Sequence, residues 1–386
     1  MPDPYTHTFP DAETNHHAVD AVVSSSDAAP GCPTPWSATQ TRLHGGKQEG
    51  VDLITLYTGA MVIRVIPTRG MGILDVQTGG ESGAYRLGWD SPVKEVVHPH
   101  FIDLGARGGT GWLDGFNEYL VRCGLEFLGP PCEDTHHKAV GEPPATNITL
   151  HGKIANTPAS KVELIAQTEA PYRVTLRGVV HERSMYGPKL ELTADLSFIP
   201  GEPGFTIHDR ITNRGGQPVE CGILYHLNHG RPLLEEGTRL ITPPGTKATP
   251  RDAGYTDEDI ERWDHYSAPR PASPEQVFFL DLPADDRGET GVVLHNKEKD
   301  QAVSIRWLKN QLPHFAQWKA LHDERDGYVT GLEPCTTLPN PRPIEREAGR
   351  LLNLKPGTWH ETVLKFGVLS DAAGVAEAVK QIATPG

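Results

Sequence analysis

The sequence lacks the features by which composition reveals a membrane or nucleic-acid-binding protein. No run of about 18 apolar residues is present, which is the length that a membrane-spanning helix needs. The N-terminus has neither the basic region nor the apolar region of a secretory signal. Lys and Arg number 36 against 50 Asp and Glu, so the net charge of −14 would repel a phosphate backbone or an anionic lipid surface. We therefore expect a cytoplasmic protein that binds neither nucleic acid nor membranes.

Cysteine is scarce, and the motifs of common cofactors are missing. The five cysteines form no Cys-x-x-Cys pair, which argues against a disulfide framework and against the usual structural zinc sites. The sequence has no Gly-x-Gly-x-x-Gly after a predicted strand, no phosphate-binding P-loop, no Gly-x-Ser-x-Gly elbow and no His-Glu-x-x-His. These absences predict a protein that works without a cofactor.

The 18 histidines leave one metal hypothesis open. His98 and His100 form a His-x-His pair, and His136 and His137 follow nearby. Imidazole is a common ligand of zinc and related metals. Histidines on solvated loops explain the same pattern, and the site predicted below contains no metal.

Glycine and proline are abundant, and they divide the chain into many short strands. The 40 Gly and 34 Pro are spread throughout as turn residues. Between them, apolar and polar residues alternate, which predicts a β-hairpin over 51–66 and an antiparallel four-strand meander over 162–211. The predicted class is therefore all-β, with a short helix at the C-terminus from Ser370 to Ile382.

The predicted organisation is one domain preceded by an arm. Residues 1–40 are polar, rich in Ala, Ser, Pro and Asp, and without periodicity, which predicts a disordered or loosely packed arm. The strand pattern begins at Thr41, so residues 41–386 are expected to form the domain. The acidic, proline-rich stretch 233–275 is expected to be a surface excursion.

One predicted strand, which begins at Tyr328, carries a carboxylate where a hydrophobic residue would be ordinary. In an extended chain Glu333 shares its face with Val329 and Gly331, and Pro334 then ends the ladder. An apolar setting raises the pKa of a carboxylate, which suits a general base that works near neutral pH. The alternative is a glutamate at the rim of the sheet that pairs with an arginine.

A second polar cluster ends the predicted strand that begins at Val219. Alternation places His226 and Asn228 on one face and His229 on the other. An imidazolium donates a proton near its own pKa, and a desolvated glutamate accepts one. His226 and Glu333 can therefore form an acid–base pair that needs no cofactor.

Binding residues are expected in two places. Arg69 lies among glycines at a strand junction, where its guanidinium could hold hydroxyl groups of a ligand or, equally, loop carbonyls. The stretch 87–131 is irregular, aromatic and glycine-rich, as binding surfaces between strands often are.

Seven short motifs occur in order along the chain: Gly50–Leu53, Pro67–Met71, Gly88–Pro92, Cys123–Leu125, Leu150–Ala159, Tyr225–Leu234 and Gly331–Pro334. As an ordered set they resemble the DUF4432 branch of the aldose 1-epimerase, or galactose mutarotase-like, superfamily. The resemblance covers residues 41–370, and it depends on the whole set because each motif alone is weak. It implies a large antiparallel β-supersandwich with a sugar site on a concave sheet face.

The resemblance also implies roles for individual residues. In that superfamily a histidine protonates the ring oxygen of a pyranose while a glutamate takes the proton of the anomeric hydroxyl. Matching the motifs gives these roles to His226 and Glu333, the pair that the strand argument reached. The predicted substrate-binding residues are Arg69, His151, Asn228, Trp318, Trp112 and, more loosely, Asp209.

The sequence departs from the superfamily at one motif. Where mutarotases have Asn-His-x-Tyr-Phe-Asn-Leu, this chain has Tyr225–Arg231, so the substrate need not be galactose or glucose. The favoured function is an isomerase that interconverts the anomers of a free sugar or sugar derivative, acting as a monomer or homodimer on a monosaccharide. Two alternatives are a non-catalytic sugar-binding or sensing protein, with Trp89, Trp112 and Trp318 as stacking platforms, and a metal-assisted sugar isomerase.

Overall fold

The computed structural model describes residues 3–18, 20–78, 85–136, 146–298 and 300–383, most of which lie in or between short strands. The strands are β1 (Tyr5–Asp11), β2 (His16–His17), β3 (Val22–Ser24), β4 (Ser37–Arg42), β5 (Asp52–Tyr57), β6 (Met61–Ile66), β7 (Gly72–Thr78), β8 (Arg86–Leu87), β9 (Leu120–Leu125), β10 (Cys132–Asp134), β11 (Thr146–Ile148), β12 (Ala159–Ala166), β13 (Val174–Arg183), β14 (Lys189–Phe198), β15 (Gly204–Asn213), β16 (Val219–His229), β17 (Arg239–Ile241), β18 (Lys247–Pro250), β19 (Gln276–Asp281), β20 (Glu289–Asn296), β21 (Gln301–Leu308), β22 (His314–Leu321), β23 (Tyr328–Cys335), β24 (Leu352–Leu354) and β25 (Trp359–Leu369).

Helices are few and mostly short. They are α1 (Ser25–Ala28), α2 (Ala106–Gly109), α3 (Asp257–Glu261), α4 (Arg342–Glu347) and α5 (Ala372–Ala383), with 3₁₀ turns at Gly46–Gln48, Pro67–Arg69, Pro99–Phe101, Gly111–Gly115, Ile154–Asn156 and Glu324–Asp326. The all-β class and the C-terminal helix are therefore confirmed. In the part of the chain that the structure describes, no helix has the length and apolar character required to cross a membrane.

Two large antiparallel sheets make up the fold. The first has the order β17-β20-β21-β25-β15-β14-β13-β12-β1-β2, and the second runs β18-β19-β22-β23-β16-β9-β7-β6-β5-β4-β3. The predicted hairpin is β5 and β6, and the predicted meander is β12 to β15, each strand pairing with the next. Both predictions hold because the alternation of apolar and polar residues is local to these strands.

The main hydrophobic core draws residues from both sheets. Ile54 and Ile63 of the second sheet belong to the same buried cluster as Leu176 and Leu192 of the first. Each such side chain stabilises the fold by about 1.5–3 kcal/mol when it is fully buried. This core covers one face of the central strands of the second sheet. The other face of these strands does not pack against it.

The N-terminal segment is folded, which corrects the prediction of a disordered or loosely packed arm over residues 1–40. Strand β1 pairs with β12, and β3 and β4 extend the edge of the second sheet. Phe9 and Trp36 are almost completely buried. The segment looked irregular because its strands are short and its partner strands lie far away in the sequence.

Candidate functional site

A cavity lies on the face of the second sheet that points away from the main core. Along β16 and β23 the side chains alternate, so Leu227 and Leu332 face the core while His226 and Glu333 face the cavity. Its volume is about 780 Å³, in the range of small-molecule sites. The cavity is lined by Trp89, Trp112, Leu113, Phe116, Pro130, Leu150, His151, His226, Arg251, Asp252, Glu275, Val277, Trp318, Ala320, His322, Asp326, Gly327, Val329, Glu333, Pro339, Asn340 and Pro341.

Glu333 is buried at the floor of this cavity, and only 3% of it is exposed. It shares the cavity face of β23 with Val329, as the sequence predicted. Gly331 lies between them, and a Cβ atom there would be 2.6 Å from Glu333 Oε1 and 2.9 Å from His226 Cε1. The absence of a side chain at Gly331 therefore makes room for the two groups to meet.

His226 faces Glu333 from the neighbouring strand β16. The distance from His226 Nε2 to Glu333 Oε1 is 3.1 Å. The two atoms are close enough for an ion pair but not aligned for a hydrogen bond, so Glu333 Oε1 has no hydrogen-bond partner. A buried carboxylate oxygen without a partner lowers the stability of the fold.

Asn228 fixes the orientation and the tautomer of His226. Its amide nitrogen donates to the backbone carbonyl of Glu118 over 2.9 Å, so its Oδ1 faces His226 Nδ1, 2.7 Å away. We therefore assign the imidazole hydrogen to Nδ1, which leaves a lone pair on Nε2, the ring nitrogen that lies beside Glu333. Asn228 does not line the cavity. The predicted substrate contact is thus corrected to a positioning role.

Burial moves the two pKa values in opposite directions. Desolvation raises the pKa of Glu333 to about 8 and lowers the pKa of His226 to about 4, although the hydrogen bond that His226 donates to Asn228 opposes the second shift. Aromatic rings cause much of this desolvation, with Phe116 and Trp318 centred 5.1 and 5.3 Å from the ring of His226. Between these two values the pair holds one proton, on Glu333, and both groups are uncharged.

His151 and Trp112 supply further unpartnered polar atoms on the cavity wall. His151 Nδ1 and Trp112 Nε1 are both buried without a hydrogen-bond partner. Burial lowers the pKa of His151 to about 3, so the ring is neutral and offers a donor and an acceptor. Trp112 packs against Phe116 and His151, with ring centroids 4.7 and 4.9 Å apart. These two neighbours limit the room for a sugar to stack on the indole.

Sequence reasoning missed the charged rim of the cavity. Arg251 forms ion pairs with Asp252 over 2.8 Å and with Glu275 over 3.3 Å. Glu275 also accepts a hydrogen bond of 3.0 Å from Trp318 Nε1. These residues lie in the stretch 233–275, which was expected to be a surface excursion. This stretch is charged and rich in proline, and its apolar residues do not alternate regularly. The sequence therefore could not show that it folds beside the cavity.

Arg69 does not line the cavity, and its predicted contact with substrate is corrected. Its guanidinium is fully buried 2.7 Å from Glu118 and donates to the carbonyls of Val97, Gly115 and Ala155. These partners match the structural alternative, in which Arg69 holds loop carbonyls.

Asp209 is also corrected from a substrate-binding residue to a structural one. It lies between the two sheets, where its carboxylate accepts hydrogen bonds of 2.5 and 2.9 Å from Arg122 and one of 2.8 Å from Tyr225. The pairing joins β9 of the second sheet to β15 of the first. The partners of Asp209 lie on other strands, so the motif around Asp209 could not show this contact.

Three further histidines lie away from the cavity. His229 points away from the cavity and packs edge-on against Tyr119, with ring centroids 5.2 Å apart. His98 and His100 lie at the 3₁₀ turn Pro99–Phe101, outside the cavity. Among the described residues no group of three His, Cys, Asp or Glu side chains is placed to hold a metal ion. His137 falls outside the described residues.

Comparison with known proteins identifies a family and similar solved structures. The family model DUF4432, a domain of unknown function, matches residues 48–368. A structure from Klebsiella pneumoniae subsp. pneumoniae, named as a candidate aldose 1-epimerase, is 36% identical. The match covers 98% of this chain and 95% of that one, with a TM-score of 0.90. None of the curated proteins matches the chain.

More distant structures share the fold alone. A galactose mutarotase-like protein from Clostridium acetobutylicum is 15% identical over 86% of this chain and 98% of that one, with a TM-score of 0.58. A candidate aldose 1-epimerase from Escherichia coli K12 is 14% identical over 83% and 99% of the two chains, with a TM-score of 0.51.

Proposed function

Since the chain belongs to the DUF4432 family of the galactose mutarotase-like superfamily, we propose that it is an isomerase that interconverts the anomers of a free sugar or sugar derivative. The observation that carries the proposal is the contact of 3.1 Å between His226 and Glu333 inside a cavity of about 780 Å³. Two buried groups that share one proton are what a reaction needs when it adds a proton at one atom and removes one at another.

The reaction needs no net oxidation and no net transfer of protons. The protonated group gives its proton to the ring oxygen, and the bond from that oxygen to the anomeric carbon breaks. The unprotonated group takes the proton of the anomeric hydroxyl, which becomes the carbonyl of the open-chain aldehyde. Rotation about the adjacent carbon–carbon bond turns the carbonyl, and ring closure on the other face returns both protons.

The burial of the two groups supports one division of these roles. Glu333 holds the proton and His226 Nε2 has the lone pair, so Glu333 is the acid of ring opening and His226 is the base. This is the reverse of the assignment that the resemblance implies. The active protonation state is the same in both descriptions, namely one proton on the pair.

We expect polar atoms around the pair that have no hydrogen-bond partner to bind the sugar. His151 and Trp112 line the cavity, and their buried Nδ1 and Nε1 atoms have no partner in the protein, so a sugar hydroxyl that reaches them can exchange hydrogen bonds with them. Because these atoms are already desolvated, a hydroxyl group that meets them replaces no hydrogen bond of the protein.

Anomer exchange in a panel of free sugars tests this proposal. Selective-inversion NMR measures the exchange of magnetisation between the α and β anomers of aldohexoses, aldopentoses, deoxy sugars and ketoses, with and without the protein. We expect at least one sugar to exchange far faster than it does spontaneously. If no sugar in the panel exchanges faster, although some of them raise the melting temperature, the chain is a sugar-binding protein and the proposal is wrong.

A further inference from the structure

The charges around the cavity are unbalanced. Among the described residues that line it, Arg251 is the one Arg or Lys, whereas Asp252, Glu275 and Asp326 carry carboxylates besides the buried Glu333. One fixed positive charge thus faces three negative charges. The chain as a whole has the same sign, with a net charge of −14.

Arg251 is committed to partners of the protein. Its Nε donates to Asp252 Oδ2 over 2.9 Å, and its Nη2 lies 2.8 Å from the same oxygen and 3.3 Å from Glu275 Oε1. The second oxygen of Glu275 is held by Trp318 Nε1 at 3.0 Å. Both ends of the Glu275 carboxylate are therefore fixed, and two of the three guanidinium nitrogens of Arg251 are engaged by carboxylates.

We propose that this arrangement makes the site selective for uncharged sugars, and that Asp252 and Glu275 act as specificity residues against sugar acids and sugar phosphates. The inference rests on the proposed function and names the substrate class of the same site. A carboxylate or phosphate that enters the cavity lies beside three like charges, and juxtaposed like charges at an interface cost several kcal/mol. Arg251 can offer an entering anion only its third nitrogen, Nη1, while Nε and Nη2 stay on Asp252 and Glu275.

Hydroxyl groups meet no such obstacle. A sugar hydroxyl can donate to the carboxylates of Asp252 and Glu275 and accept from Arg251, so a neutral sugar finds partners of both kinds at the rim. Rim carboxylates that reject an anion and bind hydroxyls provide specificity through repulsion as well as attraction.

Matched sets of sugars test the inference. We would measure both anomer exchange and binding, the latter by quenching of tryptophan fluorescence, for glucose, galactose and mannose, each beside its uronate and its 6-phosphate. The neutral member of a set should have a kcat/KM and an affinity at least about tenfold higher than its charged members, which corresponds to about 1.4 kcal/mol.

A double variant reverses the discrimination if the inference is correct. Asp252→Asn together with Glu275→Gln frees Arg251, so the efficiency with a uronate relative to its neutral sugar should rise at least about tenfold. Adding Arg251→Gln should abolish that gain. All three side chains are partly exposed, at 28%, 50% and 55% for Arg251, Asp252 and Glu275, so the variants should fold. Glu347→Gln, on the exposed end of α4, is the matched control and should change nothing.

The outcomes separate this inference from the proposed function. A wild-type preference for a uronate or phosphate over its neutral sugar overturns the inference and leaves the isomerase intact. An unchanged ratio in the double variant overturns the role of Asp252 and Glu275. Neutral sugars that bind selectively but do not exchange support the inference and overturn the isomerase. Failure of every neutral sugar to bind overturns both.

Discussion

Gly331 is the residue whose replacement best separates the chemistry from the fold. In Gly331→Ala the new Cβ would lie 2.6 Å from Glu333 Oε1 and 2.9 Å from His226 Cε1. The carboxylate is the end of a flexible side chain and can move, so we expect a loss of stability of at most about 1–3 kcal/mol. Displacing a catalytic group by about 1 Å costs roughly a hundredfold in rate. Anomer exchange and thermal unfolding measure the two effects.

The control for this substitution is Gly216→Ala. A Cβ at Gly216 meets no atom within 4 Å, so rate and melting temperature should stay at wild-type values. If Gly331→Ala keeps the full rate, the close approach of His226 and Glu333 is irrelevant to turnover.

The same pair makes activity depend on pH in a way that variants can assign. Turnover should fall below about pH 4, where His226 gains a proton and no base remains, and above about pH 8, where Glu333 loses its proton and no acid remains. The residual activity of Glu333→Gln should lack the alkaline fall, and that of His226→Asn should lack the acid fall. An alkaline fall that persists in Glu333→Gln would refute the assignment.

Among individual residues, the sequence could predict the placement of those that depend on a single strand or motif. Glu333 and His226 follow from alternation along one strand each, and His151 follows from its motif. Arg69 and Asp209 could not be read in the same way, because Glu118 and Arg122 decide their roles and no local pattern couples them. The assignment of the shared proton also required the tertiary structure, since the burial of both groups sets it.

At the scale of the element, the hairpin β5–β6 and the meander β12–β15 were predictable because each strand pairs with its neighbour in sequence. The N-terminal strands were not, since β1 pairs with β12 across most of the first half of the chain. The excursion 233–275 shows the same limit, because its irregular residues are placed by contacts with β22 and β23.

The correction at the N-terminus predicts a stability effect. Trp36 is 2% exposed and belongs to the main core, so Trp36→Ala should lower the free energy of unfolding by about 3–5 kcal/mol. Trp359→Ala is the control, because that indole is 56% exposed. Thermal and urea unfolding of both variants measure the difference. If Trp36→Ala and the wild type unfold at equal midpoints, the original prediction of a loosely packed arm is correct.

At the scale of the whole molecule, the second sheet has a separate use for each face. One face packs on the core shared with the first sheet, and the other carries the cavity with His226 and Glu333. The cavity face also carries a smaller buried cluster that includes Trp112 and Leu224. Substitutions confined to His226 and Glu333 should therefore change function with less effect on the fold than substitutions in this cluster. The ordered motifs predicted this sandwich, because a family resemblance carries the long-range pairing that local periodicity lacks.

The most direct test of the central claim is the rate of anomer exchange by Glu333→Gln at a concentration that saturates the site with the sugar found in the panel. The amide keeps the shape of the side chain, so binding should survive while turnover falls by at least about a hundredfold. Selective-inversion NMR gives the rate, and fluorescence titration confirms occupancy. Exchange at the wild-type rate with full occupancy would contradict the account, since the proton of Glu333 would then have no part in the reaction.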